Sequence, residues 1–140
     1  MGASRKRLAS SNVIALCAVI FACALLTAGN GHAQSLLDFD RWMQKIEKIN
    51  LSMHRNLKRN DGAAAATDAR EIQALYKLME DFFARRGNAH DAVKRSQEGG
   101  KLAETVVRSA AASDFDTARG AAITLARACR DCHQDYKPLE

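Results

Sequence analysis

Apolar positions recur every three or four residues along 36–58: Phe39, Trp42 and Met43, Ile46, Ile49, Met53 and Leu57. Polar residues fill the intervals, so the apolar set forms one stripe and predicts a helix over Leu36–Lys58. Arg59-Asn60-Asp61-Gly62 is a turn signal. The period resumes at Ile72, Leu75/Tyr76, Met79 and Phe82/Phe83, which places a second helix at Ala63–Arg85. It stops near Gly87, with Arg85 and Arg86 suited to the negative end of its dipole. A third helix is expected over Ala89–Ala111, capped by Asn88, on a thinner stripe of Ala92/Val93, Leu102 and Val106. Within it Gly99-Gly100 marks either a kink or a close helix crossing. Ser113 or Asp114 caps a fourth helix over Phe115–Tyr136, which stops before Pro138, the single proline of the chain.

The dominance of Ala, Leu, Glu, Lys, Arg and Gln agrees with helix throughout, and no stretch reads as a strand. Four amphipathic helices with short connections make an all-α fold, an antiparallel up-down-up-down four-helix bundle.

The first 33 residues have a different pattern. A basic cluster, Arg5-Lys6-Arg7, precedes an apolar run from Val13 to Leu26 and then small and polar residues up to Ala33. That order is a secretory signal, and the run is shorter than the roughly 20 residues a membrane span needs. Residues 1–33 are therefore expected to be a cleavable signal peptide and 34–140 the bundle domain; the alternative is an uncut N-terminal anchor. Cleavage lowers the formal charge from +5 by three basic residues, to +2. A charge so small gives no electrostatic case for binding nucleic acid or for holding to a membrane surface after cleavage.

Cys17 and Cys23 leave with the signal, so the exported chain keeps only Cys129 and Cys132, within Cys129-Arg130-Asp131-Cys132-His133. Cys-x-x-Cys-His is the attachment pattern for haem c. At 100° per residue, positions i, i+3 and i+4 share one helix face. Two thiols there can bond the two vinyl groups of one covalent haem, and His133 can ligate its iron as the proximal ligand. Two other readings are a Cys129–Cys132 disulfide and a structural zinc site. The first must close across one helical turn; the second needs four ligands, with only His54 and His90 left to join.

In the expected bundle the end of the fourth helix lies beside the start of the first. Met43 is there, whereas Met53 and His54 are about 15 Å further along. Met43 is thus the candidate distal iron ligand, with Met79 second and ordinary core packing as the alternative for both. No nucleophile is paired with a base, so no enzyme site is expected.

A haem motif near the end of a four-helix chain, continuing as Gln134-Asp135-Tyr136-Lys137, resembles the cytochrome c prime family, the class II c-type cytochromes. Trp42-Met43-x-x-Ile46 is similar to that family's haem-facing segment. The resemblance implies a periplasmic monohaem electron carrier, redox partner proteins in the periplasm, and a homodimer as a further option. High-spin members keep an apolar distal side chain and bind gases such as nitric oxide or carbon monoxide. Met43 would place this chain with the low-spin, methionine-ligated members; five-coordinate gas binding is the alternative.

Overall fold

The computed structural model divides into two units, Met1–Ala33 and Gln34–Glu140, and residues 35–136 are described. The expected signal peptide, Pro138 and the lysine before it lie outside the described residues. Four helices follow one another: α1 Leu36–Lys58, α2 Gly62–Ala84, α3 His90–Ala111 and α4 Phe115–Tyr136. Among the described residues there is no strand.

Side-chain caps set three of the four starts. Ser35 and Asp38 form a capping box: Ser35 Oγ accepts from the Asp38 N–H at 3.2 Å, and the Asp38 carboxylate accepts from the Ser35 N–H at 3.0 Å. Asp61 accepts from the Ala64 N–H at 3.0 Å, so α2 begins one residue earlier than its periodicity predicts. Asp114 accepts from the Thr117 N–H at 3.1 Å. Hydrogen bonds from the Thr117 side chain and backbone hold its carboxyl below the usual carboxylate range. Ser113 is not the cap; it adopts φ 60° and turns the chain between α3 and α4. The helix α3 differs. Its cap position is Ala89, without a side-chain hydrogen bond, so Asn88 does not serve. Asp91 instead places a negative charge in the first turn.

Contacts between helices fix the topology. Phe39 stacks on Phe82 with centroids 5.0 Å apart, and Asn56 donates to Asp68 at 2.8 Å. Gln97 donates to Glu80 at 3.0 Å, Arg95 to Asp135 at 2.5 Å, and Arg119 to the Leu57 carbonyl at 3.2 Å. In each neighbouring pair the residues come from opposing ends, so the helices alternate in direction. Each helix packs on the next, and α4 returns to α1. Of these four neighbouring pairs, α2–α3 is the most extensive and α1–α4 the slightest.

The core explains that imbalance. From α2 come Ile72, Leu75, Tyr76, Met79, Phe82 and Phe83, all buried. Facing them, α3 buries Ala92, Ser96, Gly99, Ala103, Val106 and Ala110, a three-four repeat made almost wholly of small residues. Val93 and Leu102, expected on this stripe, are only half-buried. Short side chains let α3 approach α2 closely. At Gly99 a Cβ would overlap the Tyr76 ring, and the helix runs through Gly99-Gly100 unbroken. This is the close crossing.

Gly99→Ala should therefore lose about 1–3 kcal/mol through overpacking, despite the roughly 1 kcal/mol that alanine gains in helix propensity. Gly120→Ala, with nothing within 4 Å of the added methyl, should be stabilising. Urea or thermal unfolding of the two variants checks the contrast. Equal effects would mean that the crossing tolerates a side chain.

Along the α1–α4 seam the packing is uneven. Toward the carboxyl end of α1, Met53 and Leu57 are fully buried, and so are Ala118, Ala122 and Leu125 in the first half of α4. Toward its amino end, Phe39, Trp42 and Met43 are half-buried, while Leu36 and Leu37 are 63% and 59% exposed. The facing part of α4, from Ala126 to Asp135, has no buried residue. The seam is closed at one end and loosely packed at the other.

Candidate functional site

The Cys129, Cys132 and His133 side chains stand at the loosely packed end. The helix α4 is continuous through all three, so the shared face expected from i, i+3, i+4 spacing is realised. Both cysteines are half-buried and not bonded to each other; His133 is exposed. Relative to Cys129, Cys132 lies about 60° to one side of the helix and His133 about 40° to the other.

The two sides face different helices. On the Cys132 side is α3, where Arg95 reaches across to Asp135 at 2.5 Å and ties the last turn of α4 to the first turns of α3. Burial pushes the Cys132 thiol pKa up; Arg95 pulls it down, and Cys129, Asp135 and Asp91 add to the upward push. On the His133 side, the neighbouring helix in the ring is α1.

The hydrogen bond from Arg119 to the Leu57 carbonyl sets the register of that pair. Met43 lies fourteen residues before Leu57 and His133 fourteen residues after Arg119, each about 21 Å along its helix. Antiparallel helices thus bring Met43 to the level of His133, on the same side of α1 as Leu57. Met79 occupies a different setting: it is 3% exposed in the α2 core, on a helix that does not adjoin α4 in the ring. Asn50 lies midway between Met43 and Leu57 on that side of α1, and its Oδ1 is buried without a hydrogen-bond partner.

An aromatic group closes the end of the bundle behind Met43. Phe39, Phe82 and Phe83 meet at centroid distances of 5.0–5.4 Å. Trp42 sits edge-on to Phe82 at 6.3 Å, and Arg86 covers the outer face of Phe82 at 4.3 Å. His90 is exposed and His54 half-buried. Among the described residues, no three His, Cys, Asp or Glu side chains gather as a metal-holding group.

One feature of the site lies outside the spacing of the motif. Tyr76, from the core stripe of α2, brings its hydroxyl to 3.3 Å from Cys129 Sγ. Burial, followed by the charge of and hydrogen bond to Cys129 and the charge of Cys132, holds the phenol pKa well above its usual range. The signal for this contact was a tyrosine on a buried stripe, because a buried hydroxyl needs a partner.

No protein-family model, curated protein or solved structure matches the chain. No helix among the described residues is long and apolar enough to cross a membrane.

The residues present fit a covalent haem. Two unbonded thiols and an accessible imidazole share one face of α4. Beside them is a seam whose apolar side chains, Trp42, Met43 and Phe39, are incompletely covered.

Proposed function

We propose that this chain is an exported monohaem c-type cytochrome that transfers electrons in the periplasm. The observation that carries the reading is the placement of Cys129, Cys132 and His133 on one continuous helix face, beside the loosely packed seam. Cys129 and Cys132 would hold the group through thioether links to its two vinyl substituents. His133 would supply a ring nitrogen to the iron. Once held, the group supplies one-electron exchange between ferric and ferrous iron.

The chain's own contribution is position and surroundings. Arg95 and Asp135 hold the last turn of α4 in place, so the imidazole and thiols keep a common orientation. Phe39, Phe82 and Phe83, packed on one another at 5.0–5.4 Å, would give the group an apolar neighbour at this end of the bundle. Met43, level with His133 on the adjacent helix, is the proposed distal ligand. With both a thioether and an imidazole as ligands, the iron would be low-spin with a raised potential, which would suit electron transfer.

The test is an optical spectrum of the purified protein, oxidised and reduced, with and without carbon monoxide, after expression with the c-type maturation machinery. Sharp reduced α and β bands unmoved by the gas are expected. A broad reduced spectrum that shifts with the gas would make five-coordinate gas binding the function. A missing Soret band would overturn haem attachment and leave a helical protein with a thiol pair.

A further inference from the structure

The two cysteines of the motif are not equivalent. Cys129 Sγ meets the Tyr76 hydroxyl at 3.3 Å, whereas Cys132 faces the Arg95–Asp135 pair. Tyr76 reaches Cys129 from two helices away in the chain. It is 6% exposed and passes α3 at Gly99, where any side chain would overlap its ring. The crossing and the contact are therefore one arrangement: a residue without a Cβ on α3 clears the path by which a phenol on α2 touches a thiol on α4.

As a free thiol, Cys129 could donate or accept in this contact. As a thioether it has lone pairs and no proton, so only the phenol can donate. A donor on a sulfur bonded to the macrocycle withdraws electron density from it and favours the reduced state. Building on the attachment reading, we propose that Tyr76 is a positioning residue that hydrogen-bonds the Cys129 thioether sulfur, fixes its rotamer and raises the reduction potential. Burial keeps the phenol protonated, so this donor persists across the physiological pH range.

The test compares four loaded proteins: wild type, Tyr76→Phe, Cys129→Ala, and the double variant. The Cys129→Ala proteins carry haem through Cys132 alone. Tyr76→Phe keeps the ring over Gly99 and removes only the hydroxyl. In the wild-type background it should shift the ferrous-to-ferric ratio, at fixed ambient potential, about two- to tenfold toward ferric, the worth of one hydrogen bond. It should also move the thioether C–S stretching band in the resonance Raman spectrum. In the Cys129→Ala background both changes should vanish. Equal shifts in the two backgrounds would mean that the hydroxyl acts through packing, and the proposal falls. No shift in either, in a wild-type protein that carries covalent haem, overturns it too. A wild-type protein without covalent haem overturns the attachment reading as well, so the two failures are told apart.

Discussion

Replacing Cys129 and Cys132 together by alanine is expected to abolish covalent haem. Acid–acetone extraction reads this directly: the wild-type protein keeps the pigment in its precipitate, and the double variant releases whatever it has bound. Pigment retained by the variant's precipitate would sink the attachment. Stability should fall as well, because the proposed group covers apolar side chains that the bundle itself leaves half-open. Phe39, Trp42 and Met43 are only partly buried beside a stretch of α4 with no buried residue. Covering on the order of 200 Å² of apolar surface is worth about 5 kcal/mol. At about 4 °C per kcal/mol for a domain of this size, the midpoint of thermal unfolding should drop by roughly 20 °C. The sulfur atoms themselves are half-buried and contribute little to that figure, so an equal drop in a haem-free wild-type control is expected. A variant as stable as the loaded wild type would place the group outside the seam.

The second large effect concerns the distal side. Met43→Ala should convert a low-spin ferrous spectrum into a high-spin one that responds to carbon monoxide. The expectation rests on the register set by Arg119 and the Leu57 carbonyl, which brings Met43 level with His133. Met79→Ala is the paired control. Met79 is 3% exposed in the core, so its truncation should cost about 2–5 kcal/mol of stability and leave the spectrum low-spin. The two variants therefore separate along different axes, one spectral and one energetic. An unchanged spectrum in Met43→Ala would move the ligand to Met79 or another group. A high-spin spectrum in the unaltered protein would remove methionine ligation altogether.

Much of the architecture was legible because long helices write their period strongly. The limits of the first helix follow from its apolar stripe and the turn signal after it, and the start of the fourth from its cap. Asp61 and Asp114 are caps that any reading of helix starts would consider, although the spacing alone could not choose Asp114 over Ser113. The choice depended on a backbone angle, since Ser113 turns the chain at φ 60°. The stripe on α3 is legible only in part: Ala92 and Val106 are buried as expected, whereas Val93 and Leu102 are half-buried. Hydropathy gives weight to Leu102 and Val93, yet the buried positions are Ala92, Ser96, Gly99, Ala103, Val106 and Ala110. Small residues carry little apolar signal while determining how closely two helices approach.

The motif at the candidate site was legible for a local reason: its residues fall within five consecutive positions of one helix. What surrounds it was not. Tyr76 and Cys129 are 53 residues apart, and Arg95 and Asp135 are 40 apart. Pairings at that range depend on how three helices rotate about their axes. Neither spacing nor composition encodes this rotation one residue at a time.

The uneven seam has a consequence for how the chain folds and opens. Each of the other helix pairs is joined by a short turn and forms with little loss of loop entropy, whereas α1 and α4 must meet across the whole domain. The small-residue face of α3 against α2 makes the central hairpin the natural first-formed unit, and ring closure the last event. By the same accounting, the least stable opening is the parting of α1 from α4 at the end that carries Cys129, Cys132 and His133. The motif thus stays accessible until late in folding. A group bonded to α4 and ligated by α1 would turn that easy local opening into one that must break a bond to iron.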